Sequence, residues 1–167
     1  MTSAGRWRSG SIGASLAIAA SIVAIDQLTK DWALGRLGDG DIVHVVWTLQ
    51  FNLAFNTGMA FGRAQGWGPI IAVVATVVVV WLLVSLRRAA SRLSTVAIGA
   101  VIGGALGNLV DRIFRGDGLL DGSVVDFIDF QWFPIFNVAD IAINVGGALL
   151  VIGYLLDLRR AESESES

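Results

Sequence analysis

Along the chain, apolar positions gather into four long runs, and short chemically mixed stretches separate them. Residues 11–25 form the first run. Asp26, Thr29 and Lys30 follow in helical spacing on one face, so the first expected span covers residues 11–30. The second opens at Pro69, a suitable first helical residue, and covers 69–86 without a charge. Val77, Val78, Val79 and Val80 favour strand locally, but the length of the run favours helix. The third span is expected over 94–113 and the fourth over 137–156. Between the first two, residues 31–67 contain no run able to cross a bilayer. Asp39-Gly40-Asp41 signals a turn, and residues 42–51 are β-branched and aromatic, which predicts strands or a hairpin. Residues 51–61 mix amides, glycine and aromatics, as suits a surface against lipid headgroups. Residues 161–167 alternate acid and serine and are expected to be disordered.

Composition turns this pattern into a class. The 167 residues are 54% hydrophobic and only 16% charged, against about 25% charged in an average soluble domain. A polytopic α-helical membrane protein with one domain over residues 1–160 is expected. Net charge is −2, so nothing draws the chain to nucleic acid. Cysteine is absent and His44 is the one histidine, read here as structural. Thiol nucleophiles, disulfides and Cys/His zinc sites are thereby excluded. Lys30 is the one lysine, and its neighbour Thr29 lies on the same helix, so no Ser–Lys arrangement is available.

Charge also orients the chain. Arg6 and Arg8 precede the first run, Arg87, Arg88 and Arg92 separate the second from the third, and Arg159 and Arg160 follow the fourth. The positive-inside rule then puts both termini in the cytoplasm and every unusual polar stretch at the exterior face. A basic start before an apolar run could be a cleavable signal. However, the small-x-small triplet Ala17-Ile18-Ala19 lies inside the run, so an uncleaved span is expected.

The candidate chemistry sits in residues 124–140, VVDFIDFQWFPIFNVAD, where Asp126, Asp129 and Asp140 stand among aromatic and aliphatic residues. A carboxylate where water is scarce is costly and calls for a reason. Two neighbouring acids resist joint ionisation, so one keeps its proton. The charged member can take a proton from water attacking a carbonyl, while the neutral one donates to the carbonyl oxygen. Asp126 and Asp140 come from different elements and suit such a pair; Asp129 is an alternative, and the residues alone do not choose. The plainer reading makes these acids a helix cap and a headgroup contact. Asn108, Asp111, Arg112 and Asn137 at the same surface weigh against it. Asp26 and Lys30 read as a structural i, i+4 pair, and Asp111 with Arg112 as a buried positioning pair. Gly99, Gly103 and Gly107 form a stripe for close helix contact. Two rivals use the same residues. A proton-coupled transporter would spread ionisable groups through the membrane depth, whereas the second run is bare. A non-catalytic scaffold would use the glycine stripe alone.

Five blocks carry a resemblance: DQLTK at 26–30, FNTGMAF at 55–61, GGALGNLVDR at 103–112, VVDF at 124–127 and FNVAD at 136–140. In this order they resemble the motifs of the lipoprotein signal peptidases, also called signal peptidase II. The resemblance implies a bacterial inner-membrane aspartyl endopeptidase that removes signal peptides from prolipoproteins, cutting before the diacylglyceryl-modified cysteine of the lipobox. It implies four transmembrane helices with a small extracytoplasmic β-sheet, or cradle, over residues 42–61. By it, Asp126 and Asp140 are the catalytic pair, while Asn56, Asn108, Arg112 and Asn137 line the substrate pocket. Asp26, Lys30 and Asp111 match structurally important positions. The partners implied are lipidated prolipoproteins and membrane lipids, with no metal or cofactor, and a monomer is expected. Residues 113–123 look longer than in many members.

Overall fold

The computed structural model describes residues 3–58, 67–86, 91–116, 118 and 120–165, with side chains from Ile12 to Ser163 among them. Residues 59–61 of the FNTGMAF block, Arg87, Arg88, Asp117, Leu119, the side chains of Arg6 and Arg8, and the last two residues, Glu166 and Ser167, lie outside what is described. Helix α1 is Ser3–Leu37, α2 Gly68–Ser85, α3 Arg92–Phe114 and α4 Val138–Ser165. Each contains a stretch long and apolar enough to cross a membrane: Ile12–Leu37, Gly68–Ser85, Arg92–Phe114 and Val138–Ser163.

The four spans stand near their expected places, and two ends differ. Helix α1 does not stop at Lys30 but continues to Leu37. Ala33 and Leu37, one turn apart, are fully buried and pack with Phe127, Val43 and Phe51. That apolar edge outweighs the charges Asp31 and Arg36 on the other faces. Helix α4 likewise runs on to Ser165, so the tail expected to be disordered is helical through that residue. Alanine and glutamate are helix formers, and extending an existing helix avoids the nucleation cost.

Helix α3 is the central post. Of its span, 56% is buried, against 11–22% for the other three. Its glycine stripe is the reason. A Cβ on Gly99 would stand 2.7 Å from Ser15 O, and one on Gly103 would stand 2.8 Å from Ala19 O, so α1 lies directly on this face. Gly104 faces α4 in the same way, against Ala139 O. Helix α2 begins with Pro69 in its first turn and packs principally on α3 through Val79, Leu82 and Leu86.

Strands β1 (Val43–Val46), β2 (Leu49–Asn56) and β3 (Val124–Asp129) form an antiparallel sheet in the order β1-β2-β3. The expected hairpin supplies two strands. The third comes from the VVDF block, which the β-branched content of 42–51 could not announce. A bulge in β2 between Phe51 and Ala54 leaves two residues opposite the β3 stretch from Asp126 to Ile128. Trp32, Phe51 and Phe127 lock the sheet to α1, with ring centroids 5.2 Å apart for Trp32–Phe51 and 6.2 Å for Trp32–Phe127. After β2 the chain must turn sharply. Gly58 has φ +89, and a Cβ there would lie 2.6 Å from Gly68 N, so glycine lets the end of β2 touch the start of α2.

Candidate active site

The start of α4 is built around Asn137, fully buried at the N-cap position. Its Oδ1 accepts from Asp140 N at 2.9 Å, and Asp140 Oδ2 accepts in return from Asn137 N at 3.3 Å. This is a reciprocal capping box whose acid is a candidate catalytic residue. Asn137 Nδ2 in turn donates to Asp126 Oδ1 on β3, at 2.6 Å. One asparagine therefore touches both acids. Asn108, one helix away on α3, donates to the other oxygen of Asp140, Oδ1, at 2.9 Å. Its own carbonyl accepts from Asn137 Nδ2 and from Lys30 Nζ, at 3.1 and 3.0 Å.

Behind these amides lies a charged layer. Lys30, Asp26 and Asp111 are each 0% exposed. Lys30 Nζ lies 2.8 Å from Asp26 Oδ2 and 2.8 Å from Asp111 Oδ2; with Asn108 Oδ1 these occupy its three donors. The remaining acceptor capacity grips backbone. Asp111 Oδ2 accepts from Val125 N at 3.1 Å, and Asp26 Oδ1 accepts from Ala139 N at 2.9 Å. These are the residues immediately before Asp126 and Asp140. The layer thus holds the backbone on which each candidate acid rides. Gln27 bridges Asp26, Asp111 and Gly107 O, and Arg115 pairs with Asp111 and Asp31.

Asp126 is 3% exposed and forms no ion pair among the described residues. Burial first, then the nearby Asp140 charge, pushes its pKa from the usual carboxylate range up to about 7; hydrogen bonds from Asn56 and Asn137 and the charge of Lys30 oppose the shift. Asp129, three residues on, behaves otherwise. Although burial works against its charge, bonds from Gln50 Nε2, Asn52 Nδ2 and Gln131 N hold its pKa below the ordinary value.

Two open lobes meet at Asn56 and Asp140. The inner one, about 250 Å3, lies between α2 and α3 and is lined by the small side chains Ala72, Ala75 and Ala105. Arg112 closes it. Its Nη1 donates to Asn108 O at 3.2 Å, and its buried Nε has no partner among the described residues. The outer lobe, about 480 Å3, runs along α4 past Ile141 and Val145, beneath Phe133 and Phe136.

The structure brings together Asp126, Asp140, Asn56, Asn108, Asn137 and Arg112, with Asp26, Lys30 and Asp111 directly behind. Asp129 stands apart in its own amide cluster. Asp111 and Arg112 are not bonded to one another. Adjacent helical residues do not face each other, and Asp111 turns to Lys30 while Arg112 turns to the inner lobe. Sequence reasoning gave no site role to Gln27, Arg115 or Asn144. Gln27 was visible as an amide inside the first expected span, and Asn144 as one inside the fourth.

Known proteins resemble this chain over most of its length. The family profile for signal peptidase (SPase) II matches residues 18–156. The lipoprotein signal peptidase of Mycobacterium avium is 43% identical over 138 residues, 82% of this chain and 75% of that protein. Its counterpart in Bifidobacterium longum is 42% identical over 83% of this chain and 76% of its own length. A bacterial membrane enzyme solved by the in meso method at 2.3 Å resolution superposes with TM-score 0.76 at 32% identity, covering 87% of this chain and 90% of its own.

Proposed function

The chain belongs to the signal peptidase II family, and from that premise we propose that it is an aspartyl endopeptidase acting at the exterior membrane face. It removes signal peptides from prolipoproteins by cutting before a diacylglyceryl-modified lipobox cysteine, without metal or cofactor and as a monomer. The observation that carries this reading is the asymmetry of two acids joined by Asn137. Asp126, with its pKa near 7, keeps a proton close to neutrality. Asp140 has both oxygens accepting from N–H donors and is the base.

In the mechanism, Asp140 takes a proton from water as its oxygen bonds to the scissile carbonyl carbon. Asp126 gives its proton to the carbonyl oxygen, and a neutral diol forms. Asp140 then passes its proton to the cysteine nitrogen as the C–N bond breaks, and Asp126 recovers the hydroxyl proton. The small inner lobe suits the small residues before the cysteine, and Arg112 Nε offers a donor to a peptide carbonyl there. Arg92, Arg159 and Arg160 on the opposite side support cytoplasmic termini.

The test is reconstitution of the purified chain with lipidated and unlipidated prolipoprotein. Cleavage of the lipidated form alone is expected. Proton flux without cleavage would replace this reading with a transporter.

A further inference from the structure

We propose that Asn144 is a specificity-determining residue: it donates a hydrogen bond to an ester carbonyl of the substrate's diacylglyceryl group and so reads the lipid modification. This rests on the peptidase reading above. Asn144 lies four residues beyond Asp140 on α4, one turn and about 6 Å deeper into the span. It lines the outer lobe together with Asp140, between the exposed side chains of Ile141 and Val145. One of its amide N–H groups bonds Asp140 O at 2.8 Å. The second N–H has no partner among the described residues, although the side chain is exposed within a membrane span. An amide left so in hydrocarbon is unfavourable unless a ligand supplies an acceptor.

The substrate's own connectivity says which acceptor arrives. If Asp140 acts at the scissile bond, the cysteine nitrogen is the leaving group beside it. The glyceryl thioether hangs from that cysteine by a few bonds, and its acyl chains must enter the bilayer. An ester carbonyl then falls a short step deeper than Asp140, where Asn144 stands. Ile141 and Val145 offer the acyl chains apolar wall on either side. An extended peptide leading from the signal helix would instead approach through the alanine-lined inner lobe, on the other side of Asp140.

The experiment uses the full chain in phospholipid nanodiscs and two matched prolipopeptides. One carries the natural diacyl ester; the other carries a dialkyl ether of equal chain length, which lacks the carbonyls. For Asn144→Leu, KM for the diester should rise about 10-fold with kcat within about twofold, the sign of lost ground-state binding. KM for the diether should match that of the wild type. Asn144→Ala serves the same comparison should the leucine variant fail to assemble. An equal rise on both substrates would mean a peptide contact, and no rise on either would mean a bystander; each overturns the proposal. A wild type that cleaves neither substrate overturns the peptidase reading as well, whereas a cleaving wild type with an indifferent Asn144 overturns this inference alone.

Discussion

Asp126 and Asp129 stand three residues apart on β3, at 3% and 5% exposed, yet the two halves of the strand hold them in opposite states. An odd separation along a strand puts them on opposite faces. Asp129 meets three N–H donors from Gln50, Asn52 and Gln131, and its charge is stabilised despite burial. Asp126 shares its surroundings with a second acid, and its pKa rises to about 7. Asp26 and Asp111 show a third solution, in which Lys30 between them neutralises part of the charge. Burial alone therefore does not make an acid reactive. What matters is how far donors and cations offset burial, and at Asp126 they fall short.

The largest effect that could break this comparison is on catalysis. Asp126→Asn or Asp140→Asn should each lower the cleavage rate about 10²–10⁴-fold, the usual contribution of a general acid or base. Asp129→Asn should stay within about tenfold of wild type, because it removes only a loop tether. Cleavage assays on detergent-purified variants decide it, and equal losses at Asp126 and Asp129 would erase the distinction. Next in size is Lys30→Met. It leaves Asp26 and Asp111 buried without their shared cation, and breaking such a pair costs about 3–5 kcal/mol. Thermal unfolding in the same detergent should show the loss, and an unchanged midpoint would mean that the layer is not the frame described here.

Much of this was legible before the structure. Four spans follow from run lengths, and the glycine stripe announced close packing. The five motif blocks named the residues of the site through resemblance. The remainder was hidden for physical reasons. Nothing local says that Asp111 will bond Val125 N or that Asp26 will bond Ala139 N, since both contacts depend on how α1, α3 and β3 meet. Asn137 read as a pocket residue, whereas its cap position makes it the joint between the two acids. Lys30 looked like the end of a helix because it is charged, although Ala33 and Leu37 carry the apolar edge on. The residues alone did not choose between Asp126 and Asp129, because both stand in the same aromatic stretch; the resemblance made that choice.

A smaller effect sharpens the Asp129 side. Its folded pKa lies below the unfolded value, so it contributes stability above the ordinary carboxylate range and loses it as pH falls through the folded value. In Asp129→Asn, Gln50 Nε2 and Asn52 Nδ2 point donors at one side of a group and Gln131 N at the other, and an amide can accept on only one of them. About 1–3 kcal/mol should be lost at neutral pH, as for hydrogen bonds to a charged group. The gap between variant and wild type should close as pH drops below about 4. A gap independent of pH would show that shape, not charge, holds this loop.

The smallest expected change separates the two causes at Asp126. Burial is the larger and the charge of Asp140 the second, so Asp140→Asn should lower the pKa of Asp126 without returning it to the ordinary value. Carboxyl carbon signals from labelled aspartate, followed by NMR across pH 3–9, would show this. Asp126 should titrate below about 7 yet above 3.8 in that variant, and near 7 in Asp129→Asn, whose amide cluster lies on the other face. The same ordering fixes the sign of the pH–rate profile. The proposed mechanism needs the proton on Asp126, so kcat/KM should fall as pH rises through about 7. If Asp126 instead titrates at its ordinary value once Asp140 is neutral, the pair owes its asymmetry to mutual repulsion alone. Burial would then be no part of the explanation for why the pKa of Asp126 is raised and that of Asp129 is not.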